Sequence, residues 1–104
     1  MAKLIWTEPA LADLDAIADY IALDDERAAK RLVAKVFDHV EQLNDHPKIG
    51  SVPAELRPIK TYRQIVEPPC RVFYRISGKK IYIVHVMRGE QLLKKAKLTR
   101  KRST

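Results

Sequence analysis

A chain of 104 residues suffices for one domain with a modest core and excludes two domains that each bury their own. With 46% apolar and 32% charged residues, it has a globular balance rather than that of a disordered polymer. The net charge of +7 is unevenly placed: residues 1–46 hold ten acids and five bases, residues 47–104 three acids and fifteen bases. That basic half favours a polyanionic partner: nucleic acid, a nucleic-acid machine or an acidic protein segment.

Lys3 to Trp6 reads as a short strand that Thr7, Glu8 and Pro9 bring to an end. Thr7 is placed to cap a helix, Glu8 to meet its dipole, and Pro9 is tolerated in a first turn where its missing donor has no partner anyway. Leu11, Leu14, Ile17, Ala18 and Ile21 then recur at helical spacing, predicting an amphipathic helix over about 8–23. Asp24 and Asp25 form a turn and a second cap. A further helix follows from Ala29 through Leu32, Val33, Val36, Phe37 and Val40 to Leu43, ended by Asn44-Asp45-His46-Pro47. So short a connection makes the two helices an antiparallel hairpin with a common apolar surface.

Pro47, Gly50, Pro53 and Pro58 break all regular pattern, so residues 47–59 are the main loop, with Glu55 and Arg57 at its tip. Three strand candidates rich in Val, Ile and Tyr follow: 60–66, 70–76 and 80–87, joined by turns at Pro68-Pro69 and Ser77-Gly78. The expected fold is therefore α+β: an antiparallel sheet packed on one face by an N-terminal helix hairpin, in the order β-α-α-β-β-β, with its other face left for function. Residues 89–93 suit a short C-terminal helical turn. Residues 1–93 form the single domain, and 94–104 a basic, flexible tail.

The longest apolar stretch, Ile81 to Met87, contains His85 and falls far short of the roughly 20 residues needed to span a membrane. The N-terminus reaches Glu8 and Pro9 before an export signal could develop, so the expectation is a cytoplasmic protein with no membrane partner. The single cysteine, Cys70, lies in an apolar alternation and is expected in the core; alone it supports neither a disulfide framework nor a zinc site. No metal or other cofactor is expected.

Trp6-Thr7-Glu8-Pro9-Ala10 with Leu14, Ile17 and Tyr20-Ile21, then Phe37 to Leu43 with His46-Pro47 and Gly50, resemble the first and second helices of the RelE/ParE superfamily of toxins from type II toxin-antitoxin systems. Arg71-Val72-Phe73-Tyr74-Arg75-Ile76, leading through a glycine turn to Ile81-Tyr82-Ile83-Val84-His85-Val86-Met87-Arg88, is similar to the family's third and fourth strands. The ordered agreement covers about residues 4–93.

The resemblance implies one of two activities. RelE-type members are ribosome-dependent messenger endoribonucleases, in which arginines hold the scissile phosphate and a general base takes the 2′-hydroxyl proton; here the candidates are Arg71, Arg88, Glu67 and Tyr62, with the loop carboxylate Glu55 also weighed as a base. In several such enzymes a histidine or tyrosine near the C-terminus assists, and no such residue follows Arg88. That favours the ParE-like branch, associated with plasmid stabilisation and with trapping DNA gyrase on cleaved DNA, a binding activity without chemistry of its own. A non-toxic basic nucleic-acid-binding module is the third reading; it needs stacking aromatics, and only Phe73 and Tyr82 are available on the open face.

Target or anion binding is assigned to Arg71, Arg75, Tyr82 and Arg88. A two-residue turn at Ser77-Gly78 sets Phe73 opposite Tyr82 and Arg71 opposite Val84, so that Arg71 and Arg88 share the open face and His85 turns to the helices as a core residue. A three-residue turn would set Arg71 opposite His85 instead. The implied partner is a cognate antitoxin, supplying an acidic, amphipathic segment and forming a hetero-oligomer, that docks on Leu14, Ile17, Ile21, Val33 and Phe37 of the helix hairpin.

Overall fold

The computed structural model describes residues 2–56, 61–89 and Leu98. Strand β1 (Lys3–Trp6) leads into helix α1 (Glu8–Ala22) and helix α2 (Glu26–Glu41), and strands β2 (Tyr62–Glu67), β3 (Cys70–Ser77) and β4 (Lys80–Arg88) complete the α+β order. Both predicted caps are in place. The Thr7 hydroxyl accepts the Ala10 amide at 3.3 Å while donating to the Ile83 carbonyl at 2.7 Å, so the residue that starts α1 also ties it to the sheet. Asp25 accepts the Ala28 amide at 3.0 Å and starts α2.

The strands form one sheet in the order β1-β4-β3-β2. The antiparallel arrangement expected from the sequence holds for β2, β3 and β4, while β1 joins the free edge of β4 in parallel, making the sheet mixed. A parallel pair needs a long crossover; the helix hairpin is part of it.

Two apolar layers flank the sheet. Under the helices, Ala10, Leu14, Leu32, Val36, Val40 and Leu43 pack on Ile65, Cys70, Val72, Tyr74, Ile81, Ile83 and Val86. On the opposite face Leu56 and Leu98 cover Phe73, Val84 and Met87. That second face was expected to be left open, and the burial of Leu98 (1% exposed) and Leu56 (4%) on it corrects the expectation. Leu98 is also the one described residue of the expected tail; the other residues of 94–104, the helical turn proposed within 89–93 apart from Gly89, and Arg57 lie outside the described residues.

The β3–β4 register differs from both sequence alternatives. Ser77 pairs with Lys80, so the turn is Gly78-Lys79, with Gly78 at φ +60° in the first central position, where only glycine is comfortable. A bulge then inserts Val84: Tyr74 pairs with Ile83, but Phe73 pairs with His85. From the bulge onward every β4 side chain is displaced by one, and Arg71 faces Met87 while Cys70 faces Arg88.

Candidate functional site

The bulge separates the two arginines that the sequence placed together. Arg71 lies with Phe73 and Arg75 on the face away from the helices. Arg88, opposite Cys70, lies on the helix side, its guanidinium 5.1 Å from the centre of the Tyr20 ring. The expected shared arginine face therefore does not form, because alternation is preserved along a strand only until an extra residue interrupts it.

Arg71 is held on every side of its planar fork. Two of its nitrogens meet the two Glu55 carboxylate oxygens at 2.8 and 2.9 Å, Nε donates to Gln64 Oε1 at 2.8 Å, and the group lies 5.0 Å above the Phe73 ring. Arg75 lies 4.3 Å over the Tyr82 ring on the same face. The Tyr62 hydroxyl is 3.5 Å from the Leu98 carbonyl. Glu67 is on the helix side, 3.2 Å from His39 Nδ1 but without hydrogen-bond geometry. The residues considered for ribonuclease chemistry are thus divided, Arg71, Glu55 and Tyr62 on one face, Glu67 and Arg88 on the other.

His85 is buried and hydrogen-bonded, as read from the sequence, but not beneath the helices. Its ring stacks on Phe73, centroids 5.6 Å apart, and Nδ1 donates to Asp13 Oδ2 at 2.7 Å. The same Asp13 oxygen accepts the Val86 amide at 3.2 Å. Asp13 thus closes the β4 edge just where β1 stops. Sequence reasoning missed Asp13, one of ten acids in residues 1–46, and, though it weighed Glu55 as a loop carboxylate, did not foresee its pairing with Arg71.

Cys70 is fully buried, and burial pushes its thiol up to about 11 despite the nearby Arg88 charge. A thiol held neutral is no nucleophile. Burial likewise raises Tyr74, whose hydroxyl accepts the Gly50 amide at 3.0 Å and donates to the Pro47 carbonyl at 2.8 Å, fastening the main loop to the sheet. Among the described residues, no cluster of His, Cys, Asp and Glu could hold a metal ion, and no helix is long and apolar enough to cross a membrane.

The hairpin residues assigned to antitoxin contact divide too. Leu14 is 2% exposed in the main core, so it holds the fold and offers no surface, a correction to its assignment. Ile17, Ile21 and Val33 are half-buried against that core, and Phe37 packs on Trp6 with ring centroids 4.8 Å apart. Ile21 also floors a hollow of about 250 Å³ between the hairpin and the β2–β3 turn, with Arg31 and Lys35 at its rim and Pro68 and Pro69 as its wall.

This arrangement of a helix hairpin on a four-stranded sheet matches the solved structure titled "Chromosomal ParDE TA system from P. aeruginosa" with a TM-score of 0.71 and 31% identity, over 86% of this chain and 98% of that one. A Caulobacter vibrioides protein named Toxin RelE2 is 32% identical over 93 residues, 88% of this chain and all of the relative. Residues 4–93 match the family model described as the ParE toxin of the type II toxin-antitoxin system parDE. The chain belongs to that toxin family.

Proposed function

We propose that this toxin acts by binding rather than by chemistry, poisoning DNA gyrase, and that a cognate antitoxin neutralises it. The observation that carries the reading is the division of the ribonuclease candidates. Arg71 and Arg88 lie on opposite faces, the Arg71 fork is filled by Glu55 and Gln64, and Glu67 faces the helices. Holding a scissile phosphate requires cations that converge, and these two arginines do not; Glu55, the candidate base that does meet Arg71, is ion-paired to its fork. A binding toxin requires only a shaped, charged surface.

For the antitoxin, the hollow beside Ile21 suits an apolar side chain flanked by carboxylates, since Arg31 and Lys35 stand at its rim. Such a segment is acidic and amphipathic, and the complex would be a hetero-oligomer. The solved ParDE system supports the pairing.

Ribosome-dependent messenger cleavage is the second reading, favoured by the name of the Caulobacter relative. Expression of the chain alone in a bacterial host, with chromosome breakage and messenger cleavage followed in parallel, separates the two. The proposal expects growth arrest with DNA breaks and intact messenger. Coexpression with the protein encoded beside it should restore growth.

A further inference from the structure

We propose that the hollow between the main loop and the β3–β4 turn docks an acidic segment of the protein that this toxin poisons, anchored there by one large apolar side chain. The inference rests on the reading that the toxin acts by binding a protein.

The hollow, of about 680 Å³, has a largely aliphatic lining: Pro47 and Ile49 from the loop, Ile76 and Gly78 from the β3–β4 hairpin, with His46 and Lys48 completing it. That volume lies within the roughly 300–1,000 Å³ common to ligand sites. Ile49 is 53% exposed, yet the backbone that displays it is fixed. Its amide donates to the His46 carbonyl at 3.1 Å, the Tyr74 hydroxyl bridges Pro47 and Gly50, and Arg63 Nη1 donates to the Gly50 carbonyl at 2.7 Å. An apolar side chain held out on a braced loop is organised before a partner arrives, so binding meets little further ordering cost.

The charge around the hollow selects the occupant. Lys48 lines it, and Lys79 follows Gly78 in the turn. Lys3 and Lys80 pair across β1 and β4 at the same end of the sheet, where the Lys3 amide donates to the Lys79 carbonyl at 2.8 Å. Among the described residues none of these lysines is in an ion pair. Neighbouring strands lie about 4.8 Å apart, less than the Debye length of about 8 Å at physiological salt, so the charges act together. Asp45, beside His46, is the nearest acid along the chain and leaves the cations in excess.

An apolar hollow under excess positive charge fits an apolar anchor flanked by carboxylates. Nucleic acid fits less well, since Pro47, Ile49 and Ile76 give its bases no aromatic platform. A second copy set symmetrically on this face would bring lysines against lysines. The hollow proposed for the antitoxin, beside Pro68 and Pro69, is at the opposite end of β3, whose eight residues span roughly 25 Å at about 3.3 Å each. That leaves this end for the target.

A capped acidic peptide with a central phenylalanine, its serine counterpart and an oligothymidylate of equal charge are titrated into the methyl-labelled full chain, following the Ile49 and Ile76 methyl resonances. The phenylalanine peptide should shift both, and the serine peptide should bind at least about tenfold more weakly. Ile49→Ser, a change at an exposed position, should keep the fold, weaken the phenylalanine peptide and reduce growth inhibition, while antitoxin affinity stays within about twofold of the wild type. Should Ile49→Ser unfold, Lys48→Gln with Lys79→Gln should give the same pattern. Absence of methyl shifts, equal binding of the two peptides, equal or tighter binding of oligothymidylate, or shifts that grow with protein concentration without peptide would each overturn the proposal. So would unchanged growth inhibition in a folded variant, antitoxin affinity that falls with peptide affinity, or unfolding of both variants. None of these readouts uses gyrase, so they can fail while gyrase poisoning stands, and the reverse.

Discussion

One Asp13 oxygen, on α1, accepts both His85 Nδ1 at 2.7 Å and the Val86 amide at 3.2 Å, and so replaces the strand partner that β4 loses after Trp6. Residues 72 positions apart are thereby joined just beyond the last β1–β4 pair, Trp6 with Ile83. Asp13→Ala should therefore destabilise the fold by about 1–3 kcal/mol, because a buried imidazole and an edge amide both lose their acceptor. Asp13→Asn, which keeps a carbonyl oxygen, should cost less. Urea denaturation of the two variants checks the order.

Gly50 has no space for a side chain. A Cβ there would stand 2.5 Å from the Gln64 carbonyl oxygen and 2.6 Å from the Tyr74 hydroxyl. Gly50→Ala must push the loop off the sheet and should cost several kcal/mol, roughly the range of severe core substitutions. Tyr74→Phe removes only the hydroxyl that bridges Pro47 and Gly50, and should cost about 1–3 kcal/mol. Thermal midpoints of the two variants should fall in that order.

Most of the fold was legible because its signals are local. Thr7 and Asp25 cap as their chemistry predicts, and the spacing of Leu14, Ile17, Ile21, Leu32, Val36 and Val40 marks the faces that α1 and α2 bury. The faces of β4 were legible only as far as Val84. A bulge needs one additional residue and no particular residue type, so Val84 carries no mark, yet it determines the faces of His85, Val86, Met87 and Arg88. The turn offered a cue that was misassigned: Gly78-Lys79 fits a two-residue turn with glycine first as well as Ser77-Gly78 suits a turn by composition. Glu55 was visible as a loop acid, but its pairing with Arg71 is a tertiary fact that spacing does not encode.

Arg71→Ala should affect stability as well as function, because it strands the partly buried Glu55 and Gln64 side chains, at a cost of about 1–2 kcal/mol. Arg75→Ala, which removes a cation from above Tyr82, should cost less than about 1 kcal/mol. Both should weaken growth inhibition. A double-mutant cycle of Arg71→Ala with Glu55→Ala, read by denaturation, should show clear coupling.

Cys70 should resist alkylation by iodoacetamide in the native chain at neutral pH and react only on unfolding, since the thiol is buried and held protonated. The sign of the pH effect follows. Between the ordinary thiol value of 9.0 and about 11, the unfolded chain releases a proton that the folded chain keeps, so stability falls as pH rises through that window. Tyr74, shifted upward from 10.0, acts in the same direction. Cys70→Ala should flatten part of the fall in denaturation midpoints measured across that range.

The central claim is tested most directly with purified gyrase, supercoiled plasmid, ATP and this chain, quantifying DNA cut by gyrase after detergent and protease treatment. Linear DNA accumulating in proportion to toxin, requiring gyrase and abolished by the cognate antitoxin, is the predicted result. Plasmid left intact by a folded, growth-inhibiting toxin, with messenger cleaved on added ribosomes instead, would contradict the account and return Arg71 and its neighbours to catalysis.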